Sequence, residues 1–265
     1  RLWERRRDDA DTLRLRLGLG DLPVRDISVQ AESTATAPPD HFLMQVATDI
    51  RDRHRICTRL PAAFSFDSLG EVSVVGPAEG RDQLARTIAA RAALSHSPED
   101  LYLALVVPGG ATDSWRWAVQ LPHLADQTRP SLIGPMRRVF RHREVMTTDL
   151  RSELARRARL VAEARKNTTG TARPVESLLP RLLILDLTDE GPVTPLASPD
   201  LTMSIEELGV TVVRFLGDQA HEPDRISLRM RVSCGESNAD CCVVAEPQIS
   251  GLNVWTCLLY TSPSP

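Results

Sequence analysis

The chain has 265 residues, enough for one large domain or two small ones with a sizeable buried core. Apolar residues make up 42% and charged residues 25%, which is ordinary for a globular protein. A net charge of −3 and an aromatic content of 4% offer neither the basic surface nor the stacking side chains of a nucleic-acid-binding protein, so no nucleic-acid partner is predicted.

The cysteines and histidines show no metal-site spacing, so no metal is predicted. The five cysteines also lack a disulfide framework, and an odd number without a framework fits a reducing cytosol. They are Cys57, Cys234, Cys241, Cys242 and Cys257. No apolar run in the sequence is long enough to span a membrane. The chain as given is therefore not expected to span a membrane.

The first 59 residues are predicted to form a strand, a loop and a helix. Leucine alternates with polar residues over 12–20, which indicates a strand with one buried face. The polar, Ala/Thr-rich stretch 28–41 indicates a loop. Asp40 is expected to cap a helix over 41–54, because apolar side chains follow it at helical spacing.

Strands and helices alternate from residue 60 onward, which predicts an α/β fold with a mostly parallel sheet flanked by helices. Continuous apolar runs indicate strands buried on both faces. The predicted strands lie near 64–66 and at 71–75, 101–107, 182–187, 210–215, 226–232 and 242–245. The predicted helices lie at 81–94, 114–121 and 149–166.

The stretch VVGPAEGRDQLART, residues 74–87, has the layout of a phosphate-binding loop: a strand, a glycine turn and a helix start. A working loop reads GxxxxGK[ST], with backbone N–H groups around the phosphates and a hydroxyl on Mg²⁺. Here three residues separate Gly76 from Gly80, and Pro77 follows the first glycine. Arg81 stands in the lysine place and Asp82 in the Ser/Thr place. The loop is therefore predicted to be degenerate.

The second motif of such proteins is an apolar strand ending in Asp and then Glu. The strand 182–187 supplies Asp186, but Leu187 follows it, so the base that activates water is missing. Asp186 either orients Mg²⁺ through water or is a strand-end carboxylate satisfied by nearby backbone amides. Asp189 and Glu190, in the next loop, are expected to be solvated. No catalytic residue and no cofactor are predicted, although binding of Mg-ATP by the loop and Asp186 is left as an open alternative.

Four long segments resemble the FtsK/SpoIIIE-type ATPases of actinobacterial type VII (ESX) secretion systems, the EccC family. They are RLWERRRDDADTLRLRLGLGDLP, the run from LGEVSVVGPAEGR to LYLALVV, WRWAVQLPHL and LPRLLILDL, at 1–23, 69–107, 115–124 and 179–187. The resemblance implies a degenerate, NTPase-like region on the cytoplasmic side of the plasma membrane, close to membrane-spanning segments that precede it in the family.

The resemblance also implies a division of the chain. Residues 1–59 would be a membrane-proximal stalk, and 60–255 the degenerate P-loop NTPase-like domain. The final residues, 256–265, resemble translated sequencing-adapter sequence and are expected to lie outside the fold. The implied partners are other subunits of a secretion complex and further copies of the chain, with membrane contact only through a segment outside this sequence.

The predicted function is a non-catalytic structural domain that couples the membrane part of a secretion ATPase to distal ATPase modules for protein export. One alternative is a divergent domain that still binds ATP, with Asp82 or Asp186 holding Mg²⁺. The other is a piece of an FtsK-type DNA translocase, against which the absence of a basic surface argues.

Overall fold

The computed structural model describes residues 2–24, 29, 40–111, 113–132, 134–167, 179–235, 241–248 and 255–259. The strands are β1 Arg14–Pro23, β2 Ile56–Ser65, β3 Glu71–Val75, β4 Leu101–Val106, β5 Ala125–Ser131, β6 Gly134–Arg137, β7 Val139–Phe140, β8 Arg181–Asp186, β9 Val210–Leu216, β10 Leu228–Cys234, β11 Cys241–Pro247 and β12 Trp255–Leu259. The α-helices are α1 His41–Arg53, α2 Ala78–Ser95 and α3 Arg143–Asn167.

Ten of these strands form one sheet in the order β2-β1-β12-β11-β10-β3-β9-β8-β4-β7. The strands from β10 to β7 all run parallel to their neighbours. The strands from β2 to β11 extend the sheet with antiparallel pairings that reach β10. The predicted α/β class with a mostly parallel sheet is confirmed. A small hairpin of β5 and β6 lies apart from the sheet.

The parallel strands are covered on both faces, which explains their continuous apolar runs. Helix α2 packs on one face, where Leu84, Ile88 and Ala92 are fully buried together with Leu183 and Leu185 of β8. Helix α3 packs on the opposite face, against a second cluster that contains Leu182 and Ile184 of the same strand. Both helices were predicted, and α3 begins six residues earlier than predicted.

Helix α1 begins where the sequence indicates. The Asp40 carboxylate accepts hydrogen bonds from the N–H groups of Phe42 (2.8 Å) and Leu43 (3.1 Å), so the predicted N-cap is confirmed. No residue of α1 is buried, and Phe42 is 72% exposed. The loop predicted at 28–41 lies largely outside the described residues.

Three features differ from the sequence predictions. Cys234 and Cys241 face each other across the β10–β11 hairpin and form a disulfide, although no cysteine framework was recognised. The segment predicted as a helix at 114–121 contains only a 3₁₀ turn, Ala118–Gln120. Residues 256–259, expected outside the fold, belong to β12 and pair with β11 and β1; residues 260–265 lie outside the described part.

The predicted division at residue 59 falls inside β2, which pairs with β1 along most of its length. The boundary therefore stays a prediction. In the part of the chain that the structure describes, no helix has the length and apolar character needed to cross a membrane.

Candidate functional site

The corner at the carboxyl ends of β3, β8 and β9 is where a parallel α/β sheet places its ligand site. Strand β9 lies between β3, which leads into the glycine turn, and β8, which ends in Asp186. The two predicted motifs therefore lie at one edge of the sheet, as their order in the sequence indicates.

The glycine turn is not an open loop. Helix α2 begins at Ala78, only three residues after β3 ends, with Pro77 as its N-cap residue. Gly80 lies in the first helical turn, and the Arg81 N–H donates to the Pro77 carbonyl at 3.0 Å. Without a longer loop, the backbone N–H groups cannot surround a phosphate as they do in a working P-loop.

Both glycines are required by packing against β10. A Cβ on Gly76 would lie 2.2 Å from the Val232 carbonyl oxygen, and this residue also has a positive φ of 152°. A Cβ on Gly80 would lie 2.5 Å from Val232 Cγ1 and 2.6 Å from Cys234 Sγ. The close approach of α2 to β10 therefore explains these residues without a ligand.

Arg81, which stands in the lysine place, is bound within the protein. Its Nη1 donates to Asp189 Oδ2 at 3.0 Å and to the Phe215 carbonyl at 3.0 Å. The same Asp189 oxygen accepts the Gly217 N–H at 2.9 Å, and His221 Nδ1 lies 3.4 Å from Oδ1. Asp189 is exposed, as expected, and it also ties together segments that follow three different strands.

The ionisation of Asp189 reflects these contacts. Partial burial favours the neutral acid, but the Gly217 N–H and the Arg81 guanidinium favour the carboxylate and hold the pKa of Asp189 below its ordinary value. The anion is thus the stable form at neutral pH, and Arg81 keeps a charged partner.

Asp82, which stands in the Ser/Thr place, faces a tryptophan instead of a phosphate. Its Oδ1 accepts the Trp115 indole N–H at 3.0 Å, and its Oδ2 pairs with Arg86 at 2.7 Å. Trp115 is 1% exposed and stacks on Trp117, with ring centroids 5.8 Å apart. Asp82 therefore supports the packing of the 113–118 turn against α2.

Asp186 projects to the opposite face of the sheet from α2. Along β8 it shares the face of Leu182 and Ile184, which pack against α3. The structure therefore does not bring Asp186 together with Arg81. Of the two interpretations left open, a strand-end carboxylate satisfied within the protein agrees with the contacts of Asp186. Its carboxylate accepts a hydrogen bond from the Thr188 N–H at 3.1 Å, and two arginine side chains donate further hydrogen bonds.

Those arginines belong to a buried chain of charges. Asp186 Oδ2 accepts from Arg143 Nε at 2.6 Å and from Arg214 Nη1 at 2.8 Å. Arg214 also forms a two-bond pair with Glu71, with both bonds at 3.0 Å. Burial disfavours the Arg214 charge, but Glu71 and Asp186 raise its pKa above the ordinary value. The two positive charges of the arginines are thus balanced by the two carboxylates, and the four side chains connect β3, β9, β8 and α3.

The residues present do not fit a bound nucleoside triphosphate with Mg²⁺. Arg81 is neutralised by Asp189, Asp82 is bound to Trp115, and Asp186 lies on the other face with two arginines. Among the described residues, no group of three or more His, Cys, Asp or Glu side chains could hold a metal. Sequence reasoning missed Arg143, Arg214 and Gly217, because no local pattern marks residues that meet only in the fold.

The fold is α/β, with a mixed ten-stranded sheet flanked by helices. No family model matches the chain. It is 26% identical over 236 residues to the ESX secretion system protein EccC of Thermomonospora curvata, covering 88% of this chain and 16% of that protein. It is 27% identical over 140 residues to the ESX-4 secretion system protein EccC4 of Mycobacterium tuberculosis, covering 53% of this chain and 11% of that protein.

Two solved structures share the fold. The cytoplasmic domain of the Thermomonospora curvata type VII secretion ATPase EccC aligns with a TM-score of 0.52 at 15% identity, over 100% of this chain and 30% of that one. EssC (ATPases 2 and 3) from Geobacillus thermodenitrificans aligns with a TM-score of 0.55 at 12% identity, over 100% of this chain and 47% of that one. The predicted resemblance to EccC is confirmed, and the chain spans about a sixth or less of the curated relatives' length.

Proposed function

We propose that this chain is a non-catalytic, NTPase-like coupling domain of an EccC-type type VII secretion ATPase. It would transmit conformational change between a membrane part and distal ATPase modules during protein export. The observation that carries the proposal is the neutralised corner: Arg81 is paired with Asp189, while Asp186 is engaged by arginines on the other face.

The charge network supports the coupling role because it joins several elements into one body. Arg214 on β9 reaches Glu71 on β3 and Asp186 on β8, and Asp186 reaches Arg143 at the start of α3. Ion pairs with little solvent access resist separation, since an uncompensated buried charge is costly. A displacement of α3 would therefore be passed to the central strands instead of being absorbed locally.

The location and partners belong to the same proposal. The curated relatives are named as proteins of ESX secretion systems, and the Thermomonospora curvata structure is described as a cytoplasmic domain. We infer a position on the cytoplasmic side of the bacterial plasma membrane, with other secretion subunits and further copies of the chain as partners. Membrane contact would come through segments outside this sequence.

The test is a calorimetric titration of the full 265-residue chain with Mg-ATP, beside an Arg81→Ala variant and an ATP-turnover assay. We expect no binding at high micromolar nucleotide and no turnover in either protein. Micromolar binding that disappears in Arg81→Ala would instead establish a divergent nucleotide-binding domain, and turnover that disappears in the same variant would refute the non-catalytic proposal.

A further inference from the structure

Three polar groups of different origin converge on the Asp189 carboxylate. The Arg81 guanidinium comes from α2, the Gly217 N–H from the turn after β9, and the His221 ring from the following 3₁₀ turn. A cation, a backbone N–H and an imidazole are the groups that proteins use to bind oxyanions. One side-chain carboxylate of the same chain receives all three.

The residues around Asp189 favour an oxyanion at the position of its carboxylate. A Cβ on Gly217 would lie 2.5 Å from Asp189 Oδ2, so a side chain at this position would displace the carboxylate from its present place. Arg81 is held in place from behind by the Phe215 carbonyl at 3.0 Å, and its side chain is only 14% exposed. The Asp189 side chain is 31% exposed, so solvent reaches the occupied position.

We propose that Arg81, Gly217 and His221 form an oxyanion-binding site in which Asp189 is the resident, internal ligand. The external ligand class is phosphate: inorganic phosphate, pyrophosphate or the terminal phosphates of a nucleotide. Such an ion binds only when the Asp189 carboxylate is removed. This inference rests on the proposed function, because it assigns the lost nucleotide affinity to one residue.

Tethering explains why Asp189 excludes free anions. Asp189 lies three residues after the end of β8, so its carboxylate is held beside Arg81 by a short connection. A short tether gives a group an effective concentration on the order of millimolar or more. A phosphate ion must outcompete that carboxylate, and it also meets like-charge repulsion from it. Removing the carboxylate eliminates both obstacles and leaves the donors in place.

The experiment compares the full chain with Asp189→Ala and Asp189→Asn in calorimetric titrations with pyrophosphate and with inorganic phosphate at constant ionic strength. We expect Asp189→Ala to bind pyrophosphate at least about tenfold more tightly than the unmodified chain. Asp189→Asn removes the charge but keeps a similar shape, so it should give a smaller gain in the same direction. Its shape-preserving side chain keeps the test valid if the alanine variant unfolds.

Two further variants show which residues are responsible for the gain in pyrophosphate affinity. The double variant Arg81→Ala/Asp189→Ala should lose the gained affinity, because the cation is gone. Glu190→Ala removes an exposed carboxylate one position along the same loop and should leave pyrophosphate binding unchanged. An equal gain in Glu190→Ala would mean that net charge alone is responsible, which overturns the site.

Different outcomes overturn the two proposals. If both Asp189 variants fold and neither gains affinity, this inference is overturned while the non-catalytic proposal stands. If the unmodified chain binds Mg-ATP through Arg81, this inference is overturned, because phosphate then binds with the Asp189 carboxylate in place; ATP turnover that depends on Arg81 would refute the non-catalytic proposal as well. A titration of Asp189→Ala with Mg-free ATP then identifies the source of the phosphate: tighter binding than pyrophosphate supports a nucleotide, and equal binding supports free oxyanions.

Discussion

Replacing Asp186 with asparagine separates a structural carboxylate from a Mg²⁺ ligand. Asp186 is fully buried and accepts charged hydrogen bonds from Arg143 and Arg214. Breaking a buried ion pair from one side costs about 3–5 kcal/mol, since the partner is left buried and uncompensated. Arg214 keeps its two bonds to Glu71, and Arg143 is 15% exposed, so both cations retain some compensation.

The expected loss of unfolding free energy is therefore about 3 kcal/mol, at the low end of that range. Urea denaturation of Asp186→Asn, followed by far-UV circular dichroism, measures it. The matched control is Glu190→Gln, which removes an exposed carboxylate four positions later and should change stability by less than about 0.5 kcal/mol.

A double-mutant cycle with Arg143→Gln tests the ion pair itself, since each single variant removes one member. If Asp186→Asn loses less than about 1 kcal/mol, the charge network is not what holds this residue, and the reasoning from buried ion pairs is refuted. An unchanged stability combined with a lost Mg²⁺-dependent nucleotide affinity would assign Asp186 to metal binding instead.

Three further predictions concern other parts of the fold. Gly76→Ala should lose about 2 kcal/mol or more in urea denaturation, because its Cβ would meet the backbone of β10, whereas Gly110→Ala, with open space around it, should stay near the unmodified value. Burial lowers the pKa of both His96 and His123 below 6.5, so the unfolded chain binds these protons first. Stability should therefore fall as pH drops below about 6.5, by up to about 1.4 kcal/mol per pH unit for each histidine; His96→Gln should remove the His96 share of this slope, and an unchanged slope in that variant would contradict the assignment. Reducing the Cys234–Cys241 disulfide should lower stability by about 2–3 kcal/mol, the loop-entropy value for a separation of 7, and a Cys234→Ser variant should show no response to the reductant.

Much of the fold was readable from the sequence because local rules and tertiary packing agree. The continuous apolar run at β8 and the stripe of α2 predicted a buried parallel sheet, and both were confirmed. Helix α1 began at its predicted cap.

The contacts at the candidate site were less predictable. All residues of β8 before Asp186 are apolar or buried, so its sequence does not show which face α2 covers. The partner of Arg81 lies 108 residues away, beyond the reach of any local pattern. Asp189 looked like an ordinary loop carboxylate, and only the turn that brings Gly217 beside it shows otherwise.

The strand order also has a consequence for biosynthesis. Strand β3 ends at residue 75, but both of its neighbours in the sheet, β9 and β10, lie after residue 209. At roughly 5–20 residues per second, a ribosome needs on the order of 7–28 s to reach the end of β9. During that interval, both edges of an apolar strand lack their native partners, and such edges promote association between chains. The nascent chain should therefore depend on chaperones most strongly in the interval between the synthesis of β3 and that of β9.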